Sequence, residues 1–353
     1  MLLVAIVAVV RLLTLPDPGR APVPGGSPLA VAPTWAGPKP VDIAGRLADG
    51  TEYLPRLYLD PETSIGIAPT DDGSFLRVLI HGAGGEITEI RRVDAEGHPE
   101  FDGFVASGDT VVWAESLSLV DEPVATTIWR SNWRSRGRPS TVTTDTGSAN
   151  FYGGQYDLVV RSGRVYWVAL APGDPVVTEV RSVRLAGGDP STTRLGGEFS
   201  LSTWPWAVSN SARGTPVELV NLTTSQRVRV PTQVGEVAAC GPTLCRMSVL
   251  NGDTMVRMDL VRVDGSDRRR IAGQEATPTI ADVAVLDRWI PLATDRGDGQ
   301  AGVGLSLYDI ETGKTDLVAV DAGNIQARNG MLWWSTGTDA ELVWHAVDLR
   351  TLT

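Results

Sequence analysis

Val165-Tyr166-Trp167-Val168-Ala169-Leu170 is an unbroken apolar run that begins two residues after the turn Arg161-Ser162-Gly163. Six residues are too few for a helix and suit a strand covered on both faces. What decides the fold is recurrence. Comparable runs, often with tryptophan, stand at 75–80, 111–114, 204–208, 244–247, 289–293 and 331–334. Aligning them on Arg77, Trp113, Trp167, Trp206, Arg246, Ile290 and Trp333 gives spacings of 36, 54, 39, 40, 44 and 43, about 43 on average.

Each run sits inside a larger unit. Ahead of it comes a strand ending in turn residues such as Ser107-Gly108-Asp109 or Asn329-Gly330, which supply the positive φ that two-residue hairpins need. Behind it comes an alternating strand, as in Leu305-Ser306-Leu307-Tyr308-Asp309, and often a more polar fourth such as Gln226-Arg227-Val228-Arg229-Val230. Period-2 alternation without a long 3.6-residue pattern means all-β. Four antiparallel strands per unit, seven units and a pitch near 43 residues predict a seven-bladed β-propeller over 51–353. The tryptophans of the second strands are then core, filling the wedges between blades.

The seventh unit reaches Thr353 after its third strand, so an N-terminal strand is expected to close the last blade. Residues 53–59 are the expected closing strand, with 64–67 opening the first blade. Pro55 fits an outer edge, where a missing donor costs little.

The segment Leu305-Ser306-Leu307-Tyr308-Asp309-Ile310-Glu311-Thr312-Gly313 resembles the strand-and-turn pattern of bacterial extracytoplasmic propellers of the TolB-like and WD40-like kind. The resemblance spans 51–353 but rests on packing and turn residues; the Gly-His and Trp-Asp dipeptides of strict WD40 repeats are absent. It implies a binding or assembly scaffold, with hydrolases and lyases among the related propellers, and does not choose between them.

Upstream of the repeats, residues 1–15 are apolar apart from Arg11 and Thr14, too short to span a membrane at about 20 residues and without the basic start of a signal peptide. They are read as the end of a signal or membrane-anchor segment whose start lies further upstream. Residues 16–50, with eight prolines between Pro16 and Pro40, are read as an extended linker. The expected location is therefore extracytoplasmic, anchored or secreted. Cys240 and Cys245 flank Gly241-Pro242-Thr243, turn chemistry that sets them opposite each other across a hairpin, as a disulfide requires. A metal pair would lack partners, and redox pairs usually have two intervening residues.

With 31 Lys+Arg against 42 Asp+Glu, the net charge is −11, which repels a phosphate backbone and argues against nucleic acid as a partner. No motif announces catalysis. His81, His98 and His345 are not at metal-ligand spacing, there is no Gly-x-Ser-x-Gly, and neither a cofactor nor a metal is expected. His81 reads as a loop histidine. Arg296-Gly297-Asp298 lies in a hairpin loop without EF-hand spacing. Arg130, Arg134, Arg136 and Arg138 beside Trp129 and Trp133 form a basic, aromatic edge in the overlong second unit, able to hold anions or sugars but readable as solvated surface. A ligand site belongs at the channel mouth, where loops of many blades converge; the candidates are Asp145, Tyr152, Tyr156 and Trp204. The favoured reading is a monomeric, non-enzymatic binding module for a protein or glycan partner. The alternative is a hydrolase or lyase acting on a glycan or peptide, which needs two carboxylates at about 5 to 10 Å.

Overall fold

The computed structural model describes residues 33–119, 123–173, 175–210, 212–295, 302–338 and 340–352. The apolar run at 1–15, the linker as far as 32 and the Arg296-Gly297-Asp298 triplet lie outside the described residues. Among the described residues, no helix is long and apolar enough to cross a membrane.

The chain opens on β1 (Val41–Ala44), which belongs to the far end of the ring. Blade 1 holds β2 (Leu54–Asp60), β3 (Thr63–Pro69), β4 (Phe75–His81) and β5 (Ile87–Asp94), and blade 2 holds β6 (Glu100–Ser107), β7 (Thr110–Leu117), β8 (Ala125–Asn132) and β9 (Ser140–Thr143). In blade 3 the inner position is shared by β10 (Ser148–Ala149) and β11 (Val159–Arg161), which pair with different parts of β12 (Arg164–Ala171); β13 (Val177–Arg184) and β14 (Ser191–Gly196) follow. Blade 4 is β15 (Phe199–Leu201), β16 (Trp206–Ser209), β17 (Val217–Asn221) and β18 (Arg227–Val230). Blade 5 is β19 (Glu236–Cys240), β20 (Leu244–Asn251), β21 (Thr254–Arg262) and β22 (Arg269–Gly273). Blade 6 has β23 (Ala276–Pro278), β24 (Trp289–Thr294), β25 (Val303–Asp309) and the start of β26 (Thr315–Arg328). The same strand continues into blade 7, pairing there with β27 (Met331–Thr336), which leads to β28 (Val343–Asp348) and β1.

There are thus six antiparallel sheets, and the seven-stranded one is two blades joined through β26. The core shows the same count. Seven apolar clusters each join one blade to the next, from Trp113 of blade 2 against Leu57, Ile65 and Val78 of blade 1 round to Trp333 and Trp344 of blade 7 against Tyr53, Tyr58 and Leu79 at blade 1. The last of these clusters closes the ring. Trp113, Trp167, Trp333 and Trp344 are all fully buried at such contacts, as their place on apolar strands requires.

An N-terminal strand does complete the last blade, but it is β1, pairing Val41↔Ala346 through Ala44↔Val343, and not residues 53–59. Those residues are the inner strand of blade 1, where Pro55 still meets the channel side of an edge. The closing strand lies inside the proline-rich stretch read as linker. Just before it, Thr34 accepts from Leu317 N–H through Oγ1 and donates its own N–H to Leu317 O, so the chain lies along blade 6 before joining blade 7. His345 of β28 ties the seam, with Nδ1 2.7 Å from Asp42 Oδ1 and Nε2 2.7 Å from Thr336 Oγ1.

The frame of the first unit also shifts. The apolar run at 75–80 is the third strand of blade 1, and the second is β3, which accounts for the short spacing of 36. His81 ends β4; it is 7% exposed and packed against Tyr53 rather than carried on a loop. The disulfide is present: Cys240 and Cys245 face each other across the β19–β20 hairpin and are bonded.

Ile43 is the one buried side chain of β1, 9% exposed in the cluster between blades 7 and 1. Ile43→Asp should cost about 3 kcal/mol by burying an unpaired carboxylate, while Val41→Asp on the same strand should be near neutral. Urea unfolding of the two variants checks this, and equal tolerance would show that β1 does not hold the ring shut. Cys240→Ser should lower stability by about 2 kcal/mol, the entropy of a short closed loop, in oxidising buffer only; an equal loss in reductant would contradict it.

Candidate functional site

In blades 1 and 2 the inner strands run for seven and eight residues. In blade 3 the inner strand breaks between β10 and β11, and residues 150–158 (Asn-Phe-Tyr-Gly-Gly-Gln-Tyr-Asp-Leu) leave the sheet. In blade 6 it ends at Pro278, and the chain from 280 to 284 leaves before Val285 bridges back to Trp289. Backbone that leaves a ladder must find other partners, and these two loops find each other. Gln155 N–H donates to Asp282 Oδ2 at 2.9 Å and Gln155 Nε2 to Ala284 O at 3.2 Å. The blade 3 loop therefore crosses the channel to blade 6. The extra length of the second unit is spent partly here, and not only at the outer edge where the arginines lie.

Two buried arginines secure the crossing. Arg328, at the end of β26, donates to Phe104 O of blade 2 at 2.9 Å and to Gly154 O at 2.8 Å. Arg246 of β20 donates to Asp282 O and Ile280 O, both at 2.9 Å. Burial pushes Arg246 down to about 10 and lowers Arg328, and the terminal nitrogens of both donate to carbonyls.

The loop divides the channel. On one side is a cavity of about 460 Å³ lined by Tyr152, Tyr156, Asp157 and Asp282 from the two loops, Ser200, Ser202 and Asn210 from blade 4, and Ala238 and Ala239 from blade 5. On the other is one of about 280 Å³ lined by Arg56, Asp102, Asn324, Gln326 and Arg328, again with Asp157. Asp157 is 6% exposed and accepts Tyr152 N–H at 2.9 Å. Burial raises its carboxyl to about 6 against the N–H bond and Arg328, which lower it. Burial likewise raises Asp282 and Asp102. The Tyr152 hydroxyl donates to Glu198 at 3.0 Å, and burial first, then that carboxylate, pushes it up to about 12. Tyr156 accepts from Thr203 Oγ1 at 3.0 Å and is pushed to about 12 by burial.

Of the four candidates, Tyr152 and Tyr156 line the larger cavity. Asp145 is 65% exposed and paired with Arg181 at 2.8 Å, on neither cavity wall. Trp204 lies on the turn next to Thr203, but its ring packs on Tyr166, 4.0 Å between centroids. The charged residues of the channel, Arg56, Asp102, Asp157, Arg246, Asp282 and Arg328, escape sequence reading; a signal existed in single charges inside apolar strands, as at Cys245-Arg246-Met247. The basic edge resolves into local contacts: Arg136 with Glu86, Arg134 with Asp109 and stacked on Trp133, and Arg130 on Ser140. Arg91, not one of that set, covers Trp129 at 4.1 Å. No group of three or more His, Cys, Asp or Glu side chains is placed to hold a metal among the described residues.

The fold is similar to that of several solved structures at low identity. A puromycin-hydrolyzing peptidase of Mycobacterium tuberculosis shares 15% identity at a TM-score of 0.55, over 91% of this chain and 55% of that one. YCF48 from Cyanidioschyzon merolae shares 11% at 0.52, over 86% and 98%. An oligogalacturonate lyase in complex with manganese shares 10% at 0.51, over 89% and 99%. The chain spans about half the length of the peptidase. No family model and no curated protein sequence matches it. Likeness at this level shows the propeller fold alone.

The raised carboxyl of Asp157 has a stability consequence of fixed sign. Its folded pKa, about 6, lies above the unfolded value of about 3.9, so the folded state favours the protonated form. The group is neutral to stability at low pH and costs increasingly as pH rises between those values. Asp157→Asn keeps an acceptor for Tyr152 N–H and removes the charge. It should gain about 2 to 3 kcal/mol over the native protein at pH 7.5 and little at pH 4. Unfolding at both pH values checks this; a difference independent of pH would contradict it.

Proposed function

We propose that this propeller is a non-enzymatic binding module that receives a small ligand, or one end of a protein or glycan partner, in the larger channel cavity. The observation that carries the reading is the channel loop at 150–158. It turns an open channel into a cavity of about 460 Å³, within the range of ligand sites, and gives it tyrosine, hydroxyl, amide and carboxylate groups on one side of a rigid frame. An extracytoplasmic setting is part of the proposal. It is supported by the apolar start, the proline-rich stretch, the Cys240–Cys245 bond, which persists where thiols are oxidised, and the TolB-like pattern at 305–313. The protein would act as a monomer, held near the membrane by its amino-terminal segment.

The hydrolase alternative gains one observation, the nearness of Asp157 and Asp282. A Cβ on Gly154 would stand 3.6 and 3.7 Å from the oxygens of Asp282 and 3.9 Å from Asp157 Oδ1. Both acids thus lie beside the same point of the Gly154 backbone, so their nearest oxygens are no more than about 8 Å apart, within the span that paired acids of hydrolases use. Asp157 Oδ1 and Asp282 Oδ2 are, however, each bound to a backbone N–H group, of Tyr152 and of Gln155, a structural use that sets binding ahead.

Asn210 is exposed at the rim of the cavity. In ligand-observed NMR with a library of polar fragments, Asn210→Trp should abolish binding seen with the native protein while leaving the melting temperature nearly unchanged. Fragments that bind both proteins equally would reject the cavity as the site.

A further inference from the structure

We propose that blade 3 carries, outside the channel, a row of arginines that binds an acidic polysaccharide. In the hairpin Arg161-Ser162-Gly163-Arg164 the two middle residues have φ of 49° and 72°, the tight turn that sets Arg161 directly opposite Arg164. Arg164 in turn stands opposite Arg184 of β13. Directly paired residues share one face of a sheet, so three like charges stand side by side at strand spacing, about 4.8 Å. Arg164 donates to Ser182 and, at 2.7 Å, to Ser191. Arg161 and Arg184 are exposed, and none of the three has an ion pair among the described residues. Yet acids outnumber bases 42 to 31, and exposed arginines elsewhere take one, as Arg134 takes Asp109 and Arg194 takes Glu179. Like charges directly opposite each other destabilise a sheet, so packing does not call for this row.

The surroundings decide the partner. Trp204, half-buried in the adjoining hairpin of blade 4, packs on Tyr166, which lies two residues from Arg164 on the same face of β12. Leu222 N–H donates to Pro205 O and holds the turn 221–226 (Asn-Leu-Thr-Thr-Ser-Gln) beside that hairpin. The row is thus continued by an aromatic ring and by hydroxyl and amide groups, none of them acidic. That combination suits a sugar chain bearing carboxylate or sulfate groups, which guanidinium takes in bidentate fashion. An extended acidic peptide offers carboxylates on one face only about every 7 Å, a poorer match than one charge per sugar unit. An anionic membrane is a plane, and the hairpins and turns at this end of the ring also hold the exposed acids Glu62 of blade 1 and Asp287 and Glu311 of blade 6. A narrow chain lying along the row avoids them.

The full chain is titrated with fluorescent dextran sulfate in about 0.05 and 0.3 M salt, beside neutral dextran, poly-glutamate and phosphatidylglycerol vesicles. The native protein should bind dextran sulfate, lose about tenfold in affinity at the higher salt, and not bind dextran. The double variant Arg161→Glu/Arg184→Glu should weaken binding by about tenfold or more. Its melting temperature should not fall, since Arg184→Glu sets an acid opposite Arg164. Arg161→Gln, which only removes a charge, should weaken binding about threefold. Arg229→Glu, an equal change of charge on the exposed side of β18, should bind like the native protein. No binding of dextran sulfate, binding undiminished in the double variant, or an equal loss in Arg229→Glu would overturn the row as a site. Tighter binding of poly-glutamate or of the vesicles would overturn the polysaccharide as its partner. These outcomes are separate from the channel cavity, which the Asn210→Trp comparison tests.

Discussion

The channel of this propeller depends on two arginines that pair with backbone instead of with acids. An inner strand that abandons its ladder leaves carbonyl and N–H groups in a place where water is scarce, and each unpaired one costs about 1 to 3 kcal/mol. Arg328 binds the carbonyls of Phe104 and Gly154, joining blade 2 to the channel loop, and Arg246 binds those of residues 280 to 282. The aspartates do the complementary work, accepting the N–H groups of Tyr152 and Gln155. These arginines and aspartates therefore bond to backbone groups of the loops, and no ion pair joins them. That separation leaves the carboxylates facing open space.

Such a loop can cross only because the ring around it is complete without it. Each blade contact has its own apolar cluster, including the one between blades 7 and 1, where Trp333, Trp344, Tyr53 and Tyr58 meet. Polar bonds reinforce the seam at Asp42, His345 and Thr336. The two inner strands that break belong to blades 3 and 6, whose second strands still pair along most of their length with the third. The wedges keep their cores while the channel edge is free to vary.

This division explains what the sequence discloses. The repeat is legible because second strands must be apolar in nearly every blade. It misleads in blade 1, where Gly66 occupies the second strand: a Cβ there would stand 2.4 Å from Leu54 O and 2.7 Å from the Tyr53 ring. The aromatic bulk comes from Tyr53, outside the run, and the apolar signature passes to the third strand. The closing strand is hidden because four residues with a single buried side chain carry no periodicity. Tyr152 and Tyr156 stand out as aromatics flanking Gly153-Gly154 ahead of a first strand. Asp157 and Asp282 do not, since a carboxylate in a loop looks solvated until the fold shows which loop crosses a channel. Arg246 stands between Cys245 and Met247 and Arg328 at a strand end before the Asn329-Gly330 turn, and the reason for both lies on other blades.

The carboxylates are the hardest feature to explain by structure alone. An asparagine in place of either would accept the same backbone N–H group through its carbonyl and add none of the charge. The ring would lose no bond that it uses. Keeping two buried ionisable acids at the cavity wall, with a pKa near 6 on one of them, is a burden on the folded chain. A scaffold can carry that burden when its seven apolar contacts supply stability elsewhere, and such burdens gather where a site must stay ready for a partner. The placement of charge, rather than the propeller that frames it, is therefore the feature of this channel that packing alone does not call for.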